Sequence, residues 1–372
     1  MRLRTAVATT TTVLGAGTAA LVAAGRYGSR FALRPPPEGP APEGAVTVHA
    51  VAEDRVTLTR TASSARRGVY GLTADSGLHA IAGDVVGSTA YTVTRKLLAV
   101  PHGSLDQGTA VRLTPQVHRG DPRTALGLDF TEVAVPGELG PLPGWYLPGD
   151  RSTWVITVHG LGATREHAMN VLPALHHHRF PQLVLGYRGD PGAPRPADGI
   201  GHLGRAEWRD LDAGMRYALE YGAERIVLFG WSVGATMALH AQRLSAERER
   251  VAGLVLDSPV LDWRATVRAA AASHGLPAPL TRLAVRAAEG RRAQPPRAAA
   301  APADPLPPTV PTLILHGPDD TLAPWDASRE LAARHPESVV LHTVPGARHG
   351  AMWNADPAGY EETLRRFLTP LM

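Results

Sequence analysis

The run Gly230-Trp231-Ser232-Val233-Gly234 is the most specific chemical signal in the chain. A serine with glycine two residues to either side fits a sharp strand-to-helix turn. Such a turn holds the hydroxyl clear of the backbone, and the glycines remove Cβ atoms where neighbouring chain must pass. The helix that follows points its positive end at a developing anion. The short pattern is common by chance, and its context makes it specific here. The apolar run Ile226-Val227-Leu228-Phe229 leads into it, and a helix-forming stretch from Ala235 to Leu244 leaves it. Ser232 is therefore read as a nucleophile for acyl transfer.

A nucleophilic serine needs amides to hold an oxyanion, a base to take its proton and a carboxylate to orient that base. His159-Gly160-Leu161-Gly162 follows the apolar run Trp154 to Val158. A glycine-rich turn at that place can aim the Leu161 N–H into the site beside the Val233 N–H, and this pair is the expected oxyanion hole. His159 precedes the serine, whereas the chain order for this chemistry is serine, acid, histidine. It is read as packing its own loop. After the serine, Thr312-Leu313-Ile314-Leu315 runs into His316-Gly317-Pro318-Asp319-Asp320, and Val339 to Val344 runs into a small-residue loop ending in His349-Gly350. His349 is the expected base, and the spacing leaves Asp319 and Asp320 both open as its partner.

These residues require elements that bring them to one rim. Six short apolar runs read as strands: Trp154 to Val158, Leu183 to Leu185, Arg225 to Phe229, Leu254 to Leu256, Thr312 to Leu315 and Val339 to Thr343. Continuous apolar runs of this length suit parallel strands buried on both faces. Between them, Trp208, Leu211, Met215 and Leu219 fall on one helical face. The alternation predicts a doubly wound, mostly parallel sheet, whose functional residues collect at the carboxyl ends of the strands. A hairpin is expected ahead of it, over Glu132–Val135 and Gly144–Leu147. The stretch from Asp262 to about Pro308, rich in alanine, arginine and proline, interrupts the alternation. It is read as a helical lid insertion over the site.

From about Phe130 onward the chain resembles the α/β-hydrolase superfamily, specifically the esterase, lipase and serine-aminopeptidase-like branch with its BEM46-type hydrolases. The resemblance implies Ser232 as nucleophile, His349 as base and His159-Gly160-Leu161-Gly162 as the oxyanion turn. The family's acid stands four residues after the histidine of an H-G-x-x-D motif, which maps to Asp320 rather than Asp319. Asp257, at the end of another strand, is the acid position of some relatives and an alternative here. Tyr187-Arg188-Gly189 stands where relatives carry a turn that shapes the pocket. The resemblance does not reach the segment before Phe130.

That earlier segment has its own pattern. Val46–Val48, Arg55–Thr59, Gly68–Leu72 and Ala90–Thr94 alternate or are β-branched, which predicts a small β-rich domain over residues 45–127. Its histidines His79, His102 and His118 are isolated and read as solvated. A Pro/Glu/Gly tether over 35–44 precedes it. Residues 1–34 begin with basic residues, continue uncharged from Thr5 to Gly25, and close with Arg26, Arg30 and Arg34. They are read as a hydrophobic helix serving as membrane anchor or as an export signal, which places the protein at the membrane or in the cell envelope.

The 372 residues are 44% hydrophobic and 19% charged, too apolar for a disordered chain. The net charge of +4 is small for this length and its arginines are dispersed, so nucleic-acid binding is not expected. With no cysteine, disulfides, thiol catalysis and cysteine-ligated metal are excluded. His176-His177-His178 reads as a solvated helix end, and no metal or organic cofactor is expected. The expected activity is hydrolysis of a carboxylic ester or related acyl bond in a small-molecule or lipid-like substrate. Peptidase or acyltransferase chemistry on the same site, or a non-catalytic binding protein of the same fold, are the alternatives. The residues leave the oligomeric state undetermined.

Overall fold

The computed structural model describes residues 44–196, 199, 201–273, 281–282, 285 and 307–372. The expected N-terminal helix lies outside these residues, as does the tether except for Gly44. Among the described residues, no helix is long and apolar enough to cross a membrane.

The chain first closes a six-stranded barrel in the order β1-β2-β5-β4-β3-β6. Its strands are β1 (Val46–Ala52), β2 (Arg55–Thr59), β3 (Tyr70–Thr73), β4 (His79–Ser88), β5 (Thr92–His102) and β6 (Ala110–Thr114). Closure leaves no strand edge unpaired. The inward residues are mostly small or β-branched, among them Val46, Val48, Val56, Leu58, Leu72, Ala80, Ala82 and Val111. Side chains of that size fill a narrow interior.

One expectation fails here. His79 is fully buried and donates a ring N–H to the Val117 carbonyl at 2.8 Å. His118 is half-buried, and burial pushes its imidazole down to about 4. Only His102 of the three is exposed. The segment after β6 meets the His79 ring through Val117.

After the short helix α1 (Pro122–Leu126), the chain builds an eight-stranded sheet in the order β14-β13-β12-β11-β9-β10-β8-β7. The antiparallel hairpin β7 (Thr131–Gly137) and β8 (Gly140–Leu147) forms one edge. The parallel strands are β9 (Thr153–Val158), β10 (Gln182–Leu185), β11 (Arg225–Trp231), β12 (Val251–Asp257), β13 (Thr312–His316) and β14 (Val339–Thr343). Side chains alternate across the sheet, so each of the inner parallel strands β9 to β13 feeds two cores. Trp154, Ile156 and Val158 of β9 enter one core and Val155 enters the other. Ile226 and Leu228 of β11 likewise oppose Val227, Phe229 and Trp231. This two-sided burial is why the strands read as unbroken apolar runs.

Helices α3 (Trp208–Glu220) and α4 (Val233–Leu244) cover the first face. The second is covered by α2 (Leu172–His177), the short α7 (Met352–Ala355) and α8 (Pro357–Leu368). His176 and His177 at the end of α2 are exposed. The strand order reverses at β9: β10 lies on one side of it and β11 on the other. A crevice opens at the carboxyl ends of strands at such a reversal.

The lid expected over about 262–308 falls largely outside the described residues. Its described start is α5 (Trp263–Ser273), which sends Trp263 and Val267 into the main core. The remaining helix, α6 (Trp325–Arg334), packs beside β13 and β14.

Candidate active site

Strand β11 delivers Ser232 to the crevice. Its N–H donates to the Asp257 carbonyl at 2.8 Å, and its backbone stands at φ +54°, ψ −114°. That is a left-handed conformation costly for a residue with a side chain. The flanking glycines make the turn sterically possible. A Cβ on Gly230 would lie 2.3 Å from the Gly234 carbonyl carbon, and one on Gly234 would lie 2.3 Å from the Val158 oxygen of β9. The elbow is thus wedged between its own helix and the neighbouring strand.

His349 arrives on the loop after β14, and its Nε2 lies 2.7 Å from the Ser232 oxygen. Its Nδ1 lies 2.7 Å from Asp320 Oδ2, on the loop after β13. The same oxygen of Asp320 accepts from His316 Nε2 at 3.0 Å, while Oδ1 accepts from the N–H groups of Leu322 and Ala323 at 2.8 and 2.9 Å. Four donors converge on one carboxylate, an arrangement that only the ionised form satisfies. Burial opposes that charge. The His349 charge and the hydrogen bonds from His316 and His349 outweigh it, and they hold the carboxyl well below the usual range.

The accepting carboxylate fixes the tautomers. His349 carries its proton on Nδ1, which leaves Nε2 to accept from the serine hydroxyl. Burial works against a charge on His349, but Asp320, with a smaller push from Asp257, raises its basicity above the ordinary imidazole. His316 in turn donates through Nε2, so its Nδ1 accepts from the Ser328 hydroxyl at 2.8 Å.

The structure therefore brings Ser232, His349 and Asp320 into one hydrogen-bonded series and leaves Asp319 outside it. Asp319 accepts from the Gly346 N–H at 2.7 Å instead. Asp257 is also apart: its carboxyl bonds the Ser258 hydroxyl at 2.7 Å and Tyr360 at 3.0 Å. Burial raises it to about 7.

Val233 follows Ser232 directly, and Gly160, next to Leu161, packs so closely that a Cβ there would lie 2.9 Å from the Ser232 Cβ. Val233 heads α4, where the first N–H groups of a helix have no carbonyl of their own turn to reach. The Leu161 turn is braced by His159, whose ring bonds the Gly160 carbonyl at 2.9 Å and Asp190 Oδ2 at 2.8 Å. Asp190 also accepts the Tyr187 N–H at 2.8 Å, and the Tyr187 ring stacks on His159 with centroids 4.6 Å apart. Buried Arg188 grips Asp210 with two side-chain bonds of 2.7 and 2.6 Å. Tyr187-Arg188-Gly189 is thus a support for the Leu161 turn. Among the described residues, no cluster of His, Asp and Glu could hold a metal ion.

Residues 181–353 match a family model described as the alpha/beta hydrolase fold, across the strands and loops that carry Ser232, Asp320 and His349. Over these residues the chain has the alpha/beta hydrolase fold. Residues 47–114, the barrel, match a model described as a domain of unknown function, DUF8805. No curated protein matches the chain. Among solved structures, the Pyrococcus furiosus esterase Pf2001 is similar, at 21% identity and a TM-score of 0.54, over 68% of this chain and 94% of that one. The carboxylesterase CesB (YbfK) of Bacillus subtilis is similar at 18% identity and a TM-score of 0.47, over 65% of this chain and 93% of that one. At 21% identity the likeness to the Pyrococcus furiosus esterase is one of fold.

Two site residues were not singled out from the sequence. His316 stands four residues before Asp320, a spacing visible in the H-G-x-x-D run. Asp190 follows Tyr187-Arg188-Gly189 directly, but only the fold shows that His159 meets it.

Proposed function

We propose that this α/β-hydrolase cleaves a carboxylic ester, or a related acyl bond, of a small-molecule or lipid-like substrate through an acyl-enzyme on Ser232. The observation that supports this reading is the unbroken series Ser232–His349–Asp320, with both contacts at 2.7 Å. A protein that only binds a ligand has no need of that alignment.

In this mechanism the Ser232 oxygen forms a bond to the acyl carbon while His349 Nε2 takes its proton. The carbonyl π pair moves onto oxygen, where the Leu161 and Val233 amides hold the negative charge. Asp320 steadies the imidazolium without taking the proton. The intermediate collapses by breaking the bond to the leaving alkoxide, which receives the proton from His349. Water then repeats the sequence against the acyl-enzyme: His349 deprotonates it, the Ser232–acyl bond breaks, and the serine recovers its proton as the carboxylic acid departs.

The purified protein should turn over p-nitrophenyl esters of graded chain length. Its kcat/KM should fall as pH falls, because a protonated His349 cannot accept the serine proton. The midpoint should lie above the ordinary imidazole value of 6.5, since Asp320 raises the basicity of His349. Tight ligand binding without turnover across the panel would instead make this a binding protein on the same fold.

A further inference from the structure

The barrel's contacts with the sheet domain converge behind His349. One residue that receives them is Asn354, fully buried in α7, the helix that begins directly after the histidine loop. Its Nδ2 donates to the carbonyls of Val69 and Pro115 at 2.8 and 3.0 Å, and its backbone carbonyl accepts the Val69 N–H at 2.8 Å. The barrel loop that meets it is shaped from within. Arg95, wholly buried on β5, donates to the carbonyls of Ser64, Arg66 and Gly68 at 2.9, 2.5 and 2.6 Å. Gly68 stands at φ +91°, and a Cβ there would sit 1.8 Å from the Asn354 oxygen. The approach is so close that only glycine allows it.

A second strap runs through the 3-10 turn Arg165–Asn170. Asn170 donates to the Pro115 carbonyl at 2.9 Å, and the Gly120 N–H donates to Glu166 at 2.8 Å. Between these two residues stands His167, whose Nε2 donates to the Gly350 carbonyl at 3.0 Å. Gly350 is the residue next to His349, and its N–H donates to the Ser258 hydroxyl at 3.0 Å. Gly350 is therefore held at both of its backbone polar groups, and one of the two holds leads through the Arg165–Asn170 turn to the segment that follows β6.

We propose that the barrel is a positioning device for the His349 loop, acting through Asn354 on one side and through the Arg165–Asn170 turn on the other. This rests on the reading of His349 as the base. Positioning of this kind acts on the chemical step, because a misplacement on the order of 1 Å between base and nucleophile can cost up to about 10²-fold in rate.

The test compares Gly68→Ala with Gly77→Ala in the full chain. Both put a side chain on a left-handed residue of the barrel, at φ +91° and φ +84°, but nothing lies within 4 Å of a Cβ on Gly77. The second variant carries the backbone strain without the contact. Gly68→Ala should lower kcat on a p-nitrophenyl ester by roughly tenfold or more with KM little changed, while Gly77→Ala leaves kcat at the wild-type level. Hydrogen exchange of residues 345–356 should quicken in Gly68→Ala and not in Gly77→Ala. If Gly68→Ala does not fold, Asn354→Ala serves in its place with the same expectations. Unchanged exchange in 345–356, or quicker exchange with unchanged kcat, overturns the proposal. A wild-type protein without ester turnover defeats the catalytic reading instead, and the exchange comparison still decides whether the barrel holds the loop.

Discussion

Ser232→Ala should abolish labelling by a fluorophosphonate probe and lower ester turnover by roughly 10⁶-fold, the size of loss seen when a serine nucleophile acting with its base is removed. The substitution is clean. Alanine keeps a Cβ on the left-handed backbone at φ +54°, so the turn's strain and its packing against Gly160 remain. What disappears is the oxygen that lies 2.7 Å from His349 Nε2. The substitution leaves the proposed oxyanion amides of Leu161 and Val233 untouched, and a small residual rate from them is expected. Substrate affinity should change little, because the hydroxyl contributes mainly in the transition state. Persistent labelling would place the nucleophile elsewhere.

The second large effect is expected at Asp320. Asp320→Asn should reduce kcat by about 10³- to 10⁴-fold, because the amide leaves the imidazole without its orienting negative charge. Geometry adds to the loss. Asp320 accepts from His349, His316, Leu322 and Ala323, so an amide NH₂ placed there would face another donor. The midpoint of the pH profile should also move down, since Asp320 is what raises the basicity of His349 against its burial. Asp319→Asn removes only the bond to the Gly346 N–H and should change turnover far less. The opposite ranking would transfer the acid's role by one residue.

The parallel sheet was legible because its inner strands, β9 to β13, are buried on both faces. Trp154 to Val158 and Ile226 to Phe229 announce themselves as unbroken apolar runs. The elbow was legible for a related reason, as Gly230 and Gly234 are dictated by close backbone approach.

The barrel was harder to read. Strand β4 contains Ala80, Ala82, Gly83 and Gly87, too small to produce an apolar alternation, and β6 is short. His79 looked like a surface histidine because its partner, the Val117 carbonyl, is set by barrel closure rather than by any local pattern. The choice between Asp319 and Asp320 likewise depends on how the loop turns after β13. Neighbours of the same type in sequence point to different partners there, the one to Gly346 and the other to His349. Docking of Gly68 onto Asn354 joins positions too far apart in the chain for spacing to reveal.

The central claim is that acyl groups pass through the Ser232 oxygen. The most direct test is to mix the protein with p-nitrophenyl acetate, quench at early times and map the acetylated peptide by mass spectrometry. An acetyl group on the peptide that contains Ser232, formed and lost in step with product release, is the predicted result. Product release with the adduct on another residue, or with none on that peptide in the quenched samples, would contradict it.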